Sequence, residues 1–553
     1  MQTHDYDVLI VGSGFGGSVA ALRAAEKGYR VGVLEAGRRW TAETFPKTSW
    51  DLRRFFWFPR LGMRGIQRLS LLRDVLVLSG AGVGGGSLVW ANTSYRPHER
   101  FFDDPQWSDV TDWRQELGPF YDLAERMLGV VPNPTTTESD RVLQKVAAHF
   151  GVESTYRATP VAVHFGEADV TVPDPYFGGA GPARAGCREC GGCMVGCRHN
   201  AKNSLDRNYL YLAEGLGADI LADHEVTDVR PRPGGGFEVT WRSPGKTSRG
   251  TLSAGDVVFA AGALGTSKLL VTLKEGSLPG LSGRVGHQFR TNSEVIVGAA
   301  APDGRVDYSH GVAITSSIHP EPHTHIEVVR YPAGSNSMGL LTTVLTDGGP
   351  GMPRWLRWVA AGVRQPFTFL KSMSVRKWSE RTVILLVMQS LDNSLQIARR
   401  KGRFGPRFTT TPDGGKPAPT YVPIANEAAR VAAAAMGGYP GSTINEAVLD
   451  VPMTAHILGG APVGATPERG VVDGYHRVFG YPNLHVVDGA AVGANLGVNP
   501  SLTITAMAER AMSLWPNKGE TDQRADQSVG YVPVDVVRPN RPAVPDDAPA
   551  ALR

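Results

Sequence analysis

A strand, a glycine-rich turn, a helix and a second strand follow one another near the start of the sequence. In order, the segment contains an apolar run at 8–11, the glycines Gly12, Gly14 and Gly17, an alanine-rich stretch, and a second apolar run at 31–34 that ends at Glu35. Glycines at this spacing permit a tight turn and let a pyrophosphate approach the helix N-terminus, where free N–H groups favour an anion. An acid after the second strand can bind a ribose hydroxyl. The pattern predicts a parallel α/β unit that binds a dinucleotide.

Three further passages are rich in glycine and follow apolar runs. They are LSGAGVGGGSLVWANTSYRP from residue 78, DVVFAAGALGTSKLL from residue 256 and NLHVVDGAAVGANLGVNPSLTITAMAERAM from residue 483. The first holds five glycines in the seven positions 80–86. Because glycine lacks a Cβ atom, such a run predicts backbone lying directly against a flat or bulky partner.

These four passages, in this order, resemble the glucose-methanol-choline (GMC) flavoprotein oxidoreductases, and in particular their cholesterol-oxidase-like branch. The resemblance covers most of residues 5–515. It implies FAD in a doubly wound, Rossmann-like α/β domain, with an interleaved substrate domain built on an antiparallel sheet plus helices. It also implies oxidation of a bulky hydrophobic secondary alcohol, such as a sterol, a 3β-hydroxysteroid or a related lipid, to the ketone.

The resemblance assigns the FAD contacts to particular residues. Gly12, Gly14, Gly17 and Glu35 would hold the ADP part of FAD, and the Val226 backbone would contact the adenine. The flavin side would be held by Gly84, Gly85, Ser87 and Asn92. Asp488 would contact the ribityl or pyrophosphate region.

The order of the motifs predicts a discontinuous domain structure. Segments 1–95, 187–290 and 445–515 would form the FAD-binding domain, and segments 96–186 and 291–444 the substrate-binding domain. The tail, 516–553, is rich in proline and charge, so we expect it to be extended or disordered.

Oxidation of an alcohol through a flavin requires a group that takes the hydroxyl proton. His456, in MTAHILGG, and Asn499, in GVNPSLTI, match the histidine and asparagine that bracket the flavin in cholesterol oxidases and related enzymes. The resemblance implies that His456 hydrogen-bonds the substrate oxygen and assists proton removal. Asn499 would orient the hydroxyl and the flavin.

The sequence departs from the family at the position linked to steroid isomerisation. A glutamate follows the Pro-Ala-Gly of the substrate sheet in the isomerising enzymes, whereas this chain has Asn336 near that position. An amide cannot shuttle a proton, so we expect oxidation without isomerisation. Glu327 is nearby in sequence and could substitute, but it is interpreted in preference as a solvated or salt-bridged strand residue near Arg330. His323 and His325 are interpreted as a polar strand face in preference to a metal pair.

All four cysteines lie within eleven positions, as Cys187, Cys190, Cys193 and Cys197. This spacing is typical of the iron–sulfur sites of bacterial ferredoxins and predicts a 3Fe-4S or 4Fe-4S cluster that passes flavin electrons to an acceptor. A structural zinc fits thiolates this close less well, and zinc and free thiols stay open as alternatives. Electron transfer to oxygen, and a redox-sensing or electron-transfer flavoprotein without steroid turnover, also stay open.

Two segments, 53–73 and 351–379, each contain six Arg or Lys, no Asp or Glu, and many aromatic and aliphatic residues. Such segments can lie in the lipid headgroup layer or form lids over a deep pocket, and both interpretations are open. A net charge of +4, from 57 basic and 53 acidic residues, does not favour a nucleic-acid partner. With no export signal or membrane-spanning run in the sequence, we expect a cytoplasmic protein, with peripheral membrane contact left open.

Overall fold

A computed structural model describes residues 4–402, 405–414 and 417–553. Its first large sheet contains the strand–helix–strand unit at the N-terminus, and its central strands run parallel. The strands in spatial order are Asp219–Ala222, Val31–Glu35, Tyr6–Val11, Arg249–Phe259, Phe237–Arg242 and Glu225–Pro231, with Tyr481–Val486 beside Arg249–Phe259 and Arg477–Val478 beside Tyr481–Val486.

The parallel strands of this sheet are buried on both faces. Residues Val8–Val11 and Val31–Glu35 are all buried, which explains why their sequences are continuous apolar runs and do not alternate. The helix Phe15–Glu26 crosses between them and packs on the helix Ser501–Ser513, where Arg23 pairs with Glu509 at 2.7 Å. The α/β fold predicted from the glycine turn is therefore confirmed.

The second large sheet is antiparallel. Its strands in spatial order are Thr342–Val344, Tyr439–Thr443, Val295–Ala300, Thr382–Gln389, Thr324–Val329, Ile314–Glu321 and Arg157–Ala158. One face of this sheet packs against the helices Glu138–Phe150 and Pro423–Ala435. Ile326 and Val328, on the strand Thr324–Val329, belong to this buried face. The alternating residues on the same strand face the other way, toward the first sheet.

The remaining elements connect and cover these sheets. The other α-helices are Leu52–Phe55, Trp113–Leu128, Tyr209–Gly215, Gly262–Lys274, Arg354–Arg364, Pro366–Ser372, Trp378–Arg381 and Ile444–Leu449. The smaller sheets pair Trp57–Phe58 with Met63–Arg64, Gln67–Leu71 with Leu76–Gly80 and Met453–Thr454, Val130–Pro132 with Pro160–Ala162, Thr171–Val172 with Arg184–Ala185, and Leu395–Gly402 with Gly405–Pro412. Across the described ranges, no helix is both long enough and apolar enough to cross a bilayer.

The C-terminal tail has no helix or strand, yet it packs on the body of the protein. Val544 and Ala550 are buried within the core cluster of the first sheet. The Tyr531 hydroxyl donates to Glu116 at 2.8 Å, and the Arg541 amide donates to the Glu26 carbonyl at 3.0 Å. The composition of the tail, which favoured an extended or disordered segment, did not reveal this packing.

Candidate active site

A cavity of about 440 Å³ lies between the two large sheets. Eight of the residues singled out from the sequence line it: Gly12, Gly14, Glu35, Gly85, Val226, His456, Asp488 and Asn499. Apolar side chains of the second sheet, among them Ile296, Ile384 and Leu386, form another part of the wall. The same cavity therefore joins the glycine turn to the two predicted catalytic residues.

The glycine turn has the shape that a bound dinucleotide requires. A Cβ atom on Gly12 would lie 2.4 Å from the Ala260 carbonyl oxygen, and one on Gly85 would lie 2.7 Å from the Gly14 Cα. A Cβ on Gly14 itself would meet nothing within 4 Å, so open space adjoins the N-terminus of the first helix. Free N–H groups at that end favour a pyrophosphate, and the turn thus fits the phosphates of FAD.

Glu35 and Asp488 are both buried carboxyl groups on the cavity wall. Glu35 accepts hydrogen bonds from Ser13 Oγ at 2.7 Å and from the Gly37 amide at 2.8 Å, which fixes its orientation at the end of its strand. Asp488 accepts from Thr266 Oγ1 at 2.6 Å and from the Ala490 amide at 2.9 Å. Burial raises the pKa of Asp488 to about 6.

Four of the predicted cofactor residues do not line the cavity: Gly17, Gly84, Ser87 and Asn92. Gly17 allows close packing, because a Cβ there would lie 2.0 Å from the Gly12 carbonyl oxygen. Ser87 Oγ donates to the Gly84 carbonyl at 2.7 Å and accepts from the Leu205 amide at 3.1 Å. These residues shape the loops behind the cavity wall.

Asn92 occupies an unusual position behind the same wall. It is fully buried, has a φ of 70°, and neither atom of its amide has a hydrogen-bond partner. Buried polar atoms are nearly always paired. The preceding residue, Ala91, lines the cavity, which places the unpaired amide directly behind the cavity wall.

The structure brings His456 and Asn499 together. Asn499 Nδ2 lies 3.3 Å from His456 Nε2, and the Asn499 Oδ1 atom has no partner. On its other side, His456 Nδ1 lies 2.8 Å from Glu294 Oε2. Since a carboxylate only accepts, this contact fits the tautomer with hydrogen on Nδ1, so that Nε2 is the acceptor nitrogen of the ring and accepts from Asn499 Nδ2.

Glu294 was not singled out from the sequence, yet it controls the charge of His456. Burial alone would lower the pKa of His456, but the charge of Glu294 and its hydrogen bond, with a smaller contribution from Glu327, raise the pKa above its usual value. Glu294 also accepts from Thr454 Oγ1 at 2.8 Å and from the Ala455 amide. These bonds hold the loop that carries His456.

The interpretation of Glu327 as a solvated strand residue is wrong. Glu327 is fully buried, and its Oε2 atom accepts from Asn499 Nδ2 at 3.2 Å. Burial raises the pKa of Glu327 to about 8, although Asn499 and His456 oppose the shift. Asn336 lies elsewhere, since its Oδ1 accepts from the Ser379 amide at 2.8 Å, and it does not line the cavity.

The four cysteines do not form the predicted iron–sulfur site. Among the side chains that the structure describes, no group of three or more His, Cys, Asp or Glu is arranged to hold a metal ion. Two of the sulfurs accept backbone hydrogen bonds, Cys187 from the Glu189 amide at 3.3 Å and Cys193 from the Ala313 amide at 3.4 Å. Burial raises the pKa of the Cys193 thiol to about 11. Neither the cluster nor zinc is supported, and free thiols fit this geometry.

The cysteine loop is nevertheless tied to the cavity wall. Lys202 Nζ donates to the Cys193 carbonyl at 2.8 Å and to the Trp90 carbonyl at 2.7 Å. Trp90 and Met194, the neighbour of Cys193, both line the cavity. The loop therefore has a structural role beside the glycine-rich segment.

The two basic segments are only partly exposed. Arg68 lines the cavity, Arg64 pairs with Asp223, and Arg354 is buried 3.7 Å from Glu446. The exposed part of 351–379 is the pair of helices Arg354–Arg364 and Pro366–Ser372, which present a row of apolar side chains to solvent: Trp355, Val359, Val363, Phe367 and Leu370.

Comparison with known proteins gives consistent results along the whole chain. Residues 7–45 match an FAD binding domain model, and residues 183–277 and 385–508 match two GMC oxidoreductase models. The chain is 56% identical over 567 residues to a cholesterol oxidase of Mycobacterium tuberculosis (strain ATCC 25618 / H37Rv), covering 99% of this chain and 98% of the relative. It is 45% identical over 538 residues to a cholesterol oxidase of Acinetobacter baumannii, and the match covers 95% of this chain and 97% of that relative.

The fold agrees with a solved structure of low sequence similarity. Pyridoxine 4-oxidase from Mesorbium loti superposes with a TM-score of 0.55 at 16% identity, covering 92% of this chain and 98% of that one. Fold, cavity and relatives together define an FAD-dependent oxidoreductase that acts on alcohols. The chain belongs to the GMC oxidoreductase family, in its cholesterol-oxidase-like branch.

Proposed function

We propose that this enzyme oxidises the 3β-hydroxyl group of a sterol or a related hydrophobic secondary alcohol to the ketone. The observation that carries the proposal is the His456–Asn499 pair on the wall of a cavity whose opposite surfaces are aliphatic. The relatives that share about half of their residues with this chain over nearly its full length are cholesterol oxidases. A mainly apolar cavity with a few convergent polar groups suits a steroid with one hydroxyl.

The residues of the pair have separate roles. When bound, FAD supplies the acceptor for the two electrons and the hydrogen that leave the substrate carbon. His456 Nε2 takes the hydroxyl proton, while Glu294 holds the ring in the required tautomer and stabilises the imidazolium that forms. Asn499, whose amide nitrogen lies 3.3 Å from His456 Nε2, positions the hydroxyl beside His456.

Glu327 does not itself line the cavity, but it adds a second proton-transfer group directly beside Asn499, which does. Its carboxyl lies next to the Asn499 amide, and a pKa of about 8 lets it both hold and release a proton near neutral pH. We propose that it moves a proton between two carbons of the 5-en-3-one product and so gives the conjugated 4-en-3-one. This proposal replaces the expectation of oxidation without isomerisation.

The helices Arg354–Arg364 and Pro366–Ser372 form a hairpin that would let the enzyme take such a substrate from a lipid surface. Phe367 and Val363 are 81% and 77% exposed, and Arg364, Lys371 and Arg376 are exposed beside them. Ser372, at the end of the second helix, lines the cavity. Apolar side chains flanked by cations suit insertion among anionic headgroups.

Anaerobic reduction of the bound flavin tests the proposed substrate class. We expect a 3β-hydroxysteroid to bleach the flavin absorption band, whereas glucose, choline and other small alcohols leave it unchanged. Reduction by a small alcohol alone would overturn the sterol assignment. Absence of reduction by any alcohol would favour a redox-sensing or electron-transfer flavoprotein. Oxygen and an artificial acceptor, added after reduction, then distinguish an oxidase from a dehydrogenase.

A further inference from the structure

Arg68 is the one arginine or lysine on the wall of the large cavity, within the ranges that the structure describes. It lies on the strand Gln67–Leu71, opposite Ser79 of the next strand, and both side chains line the cavity. Glu35 and Glu225 line the same cavity and are close enough for their charges to act on Arg68. The space that fits the cofactor thus contains a single strongly basic side chain.

The Arg68 guanidinium forms no ion pair with a carboxylate of the described residues, and the remaining residues include no Asp or Glu. Arg64, on the same segment, does pair with Asp223. Arg68 instead lies over the Trp57 ring, 5.2 Å from its centroid, and its buried Nε atom has no hydrogen-bond partner. A guanidinium held in this way is oriented, but its charge is not balanced by the protein.

The two nearest carboxylates are already bound to other groups. Glu35 accepts from Ser13 Oγ at 2.7 Å and from backbone amides. Glu225 accepts from Arg242 Nε at 2.9 Å. Burial lowers the pKa of Arg68, and the charges of Glu35 and Glu225 offset this only in part. An anion from outside the chain would therefore be stabilised beside Arg68.

Lys268 adds a second positive charge to the same region. It lies on the helix Gly262–Lys274, and its Nζ atom is 5.6 Å from the Phe408 ring centroid. Burial, together with the neighbouring charge of Arg68, lowers the pKa of Lys268 to about 8. Two cations that repel each other at a buried site are costly unless an anion lies near them. The surroundings of Arg68 are thus suited to a negatively charged ligand group.

The pyrophosphate is the charged part of FAD. The adenosine and isoalloxazine parts are neutral near pH 7, whereas each phosphate carries a negative charge. The N-terminus of the helix Phe15–Glu26 offers free N–H groups and only about half an elementary charge, so it does not balance the pyrophosphate alone. A guanidinium is a planar fork of N–H donors that matches the oxygens of a phosphate.

We propose that Arg68 binds the pyrophosphate of FAD and supplies the positive charge that the glycine turn lacks. The inference rests on FAD as the cofactor and not on the alcohol that is oxidised. Trp57 holds the guanidinium against the cavity wall, and Lys268 adds attraction from behind the wall. Retention of FAD therefore depends on the strand hairpin 67–80 in addition to the glycine turn.

FAD binding to the full chain, after removal of the cofactor, tests this role. The Kd is measured from the change in flavin fluorescence at increasing salt concentration. Arg68→Met keeps an apolar side chain over Trp57 and removes the charge. We expect its Kd for FAD to be roughly 10- to 100-fold higher than that of the wild-type protein. The Kd should also depend less on salt, because an ionic contact is lost.

ADP and adenosine, measured by competition with FAD, separate a phosphate contact from an adenosine contact. ADP contains the two phosphates, so Arg68→Met should weaken its binding by a factor similar to that for FAD. Adenosine is uncharged and should bind equally to both proteins. Arg68→Lys keeps the charge but lacks the fork, so its Kd for FAD should lie between those of the wild type and Arg68→Met.

Arg73→Met is the matched control. Arg73 lies in the turn of the same strand hairpin, its side chain is 64% exposed and 3.8 Å from Asp74, and it does not line the cavity. This variant should bind FAD, ADP and adenosine as the wild-type protein does. Its Kd for FAD should also keep the salt dependence of the wild type.

An unchanged Kd for FAD in Arg68→Met would overturn the assignment. Equal losses of ADP and adenosine binding would also overturn it, because Arg68 would then serve the packing of the adenosine part. If circular dichroism shows that Arg68→Met does not fold, Arg68→Gln, which also removes the charge, gives the same comparison. These measurements use no alcohol, so failure of a steroid to reduce the flavin bears on the proposed substrate alone.

Discussion

His456 and Glu294 are joined by a hydrogen bond of 2.8 Å between Nδ1 and Oε2, although 162 positions separate them in the chain. Glu294 is fully buried and His456 nearly so. The carboxylate holds the imidazole so that Nε2 faces the cavity and Asn499. This relationship sets both the orientation and the basicity of the group that would take the substrate proton.

Replacement of the catalytic pair should separate cofactor binding from chemistry. We expect His456→Ala and Asn499→Ala to keep bound FAD and to slow anaerobic flavin reduction by roughly 10²- to 10⁴-fold, because each loses a group that acts on the reacting hydroxyl. His149→Ala, at an exposed histidine that pairs with Glu427, should have the wild-type rate. Near-normal reduction in both active-site variants would contradict the assignment.

Replacement of Glu294 should shift the pH dependence. The Glu294 carboxylate raises the pKa of His456, and only the neutral imidazole can accept the hydroxyl proton. Activity therefore rises with pH through the His456 pKa, and Glu294→Gln, which lowers this pKa, should move the acidic limb of the kcat/KM profile to lower pH. The maximal rate should also fall, since the imidazolium loses its counter-charge. An unchanged acidic limb would show that another group controls it.

Glu327→Gln should alter the product in addition to the rate. We expect the wild-type enzyme to release the conjugated 4-en-3-one and the variant to accumulate the 5-en-3-one, because an amide cannot take and return a proton. Isomerisation of added 5-en-3-one by the wild-type enzyme should increase with pH through about 8, as the Glu327 carboxyl ionises. Chromatography of the steroids measures both. Prompt conjugated product from Glu327→Gln would assign the step to another residue.

Local backbone requirements made the cofactor turn predictable. A Cβ atom on Gly12 or Gly85 would overlap neighbouring backbone. Glycine is therefore required at these positions, and its presence in the sequence indicates that the backbone segments approach one another closely. His456 and Asn499 were found through their resemblance to family motifs. Glu294 gave no such signal, since its importance depends on a contact with a residue far along the chain.

Two predictions failed because side-chain direction is a tertiary property. Glu327 was interpreted as a strand residue that is solvated or salt-bridged, but sequence alone did not show that its side chain is fully buried. The cysteine spacing is compatible with a cluster, but spacing alone did not show that, in the part of the chain that the structure describes, these side chains are not arranged to hold a metal ion. Spacing defines which residues can meet, and the fold decides which do.

Insertion of the helical hairpin into lipid is testable with charge substitutions. Phe367→Asp combined with Val363→Asp should weaken sedimentation with anionic vesicles, since the bilayer would have to accept two charges in place of two apolar side chains. Turnover of a steroid dissolved in detergent should be unchanged. Val536→Asp, at a 60% exposed residue of the C-terminal tail, is the control. Equal sedimentation of the wild-type protein, the double variant and the control would contradict insertion into lipid, and the hairpin would then be interpreted only as a lid over the cavity.

The packing of the C-terminal tail predicts a loss of stability when its anchor is removed. The Tyr531 ring lies 4.8 Å from the Tyr475 ring and 5.1 Å from the Arg510 guanidinium, and its hydroxyl donates to Glu116. Tyr531→Ala removes all three contacts, and because the ring is only partly buried we expect the free energy of unfolding to fall by about 2 kcal/mol. Val529→Ala, at a 68% exposed position, should change it by less than about 0.5 kcal/mol. Denaturant unfolding of the FAD-saturated proteins, followed by flavin fluorescence, measures both changes. Equal unfolding midpoints for the wild-type protein and Tyr531→Ala would show that this anchor does not contribute to the stability of the protein.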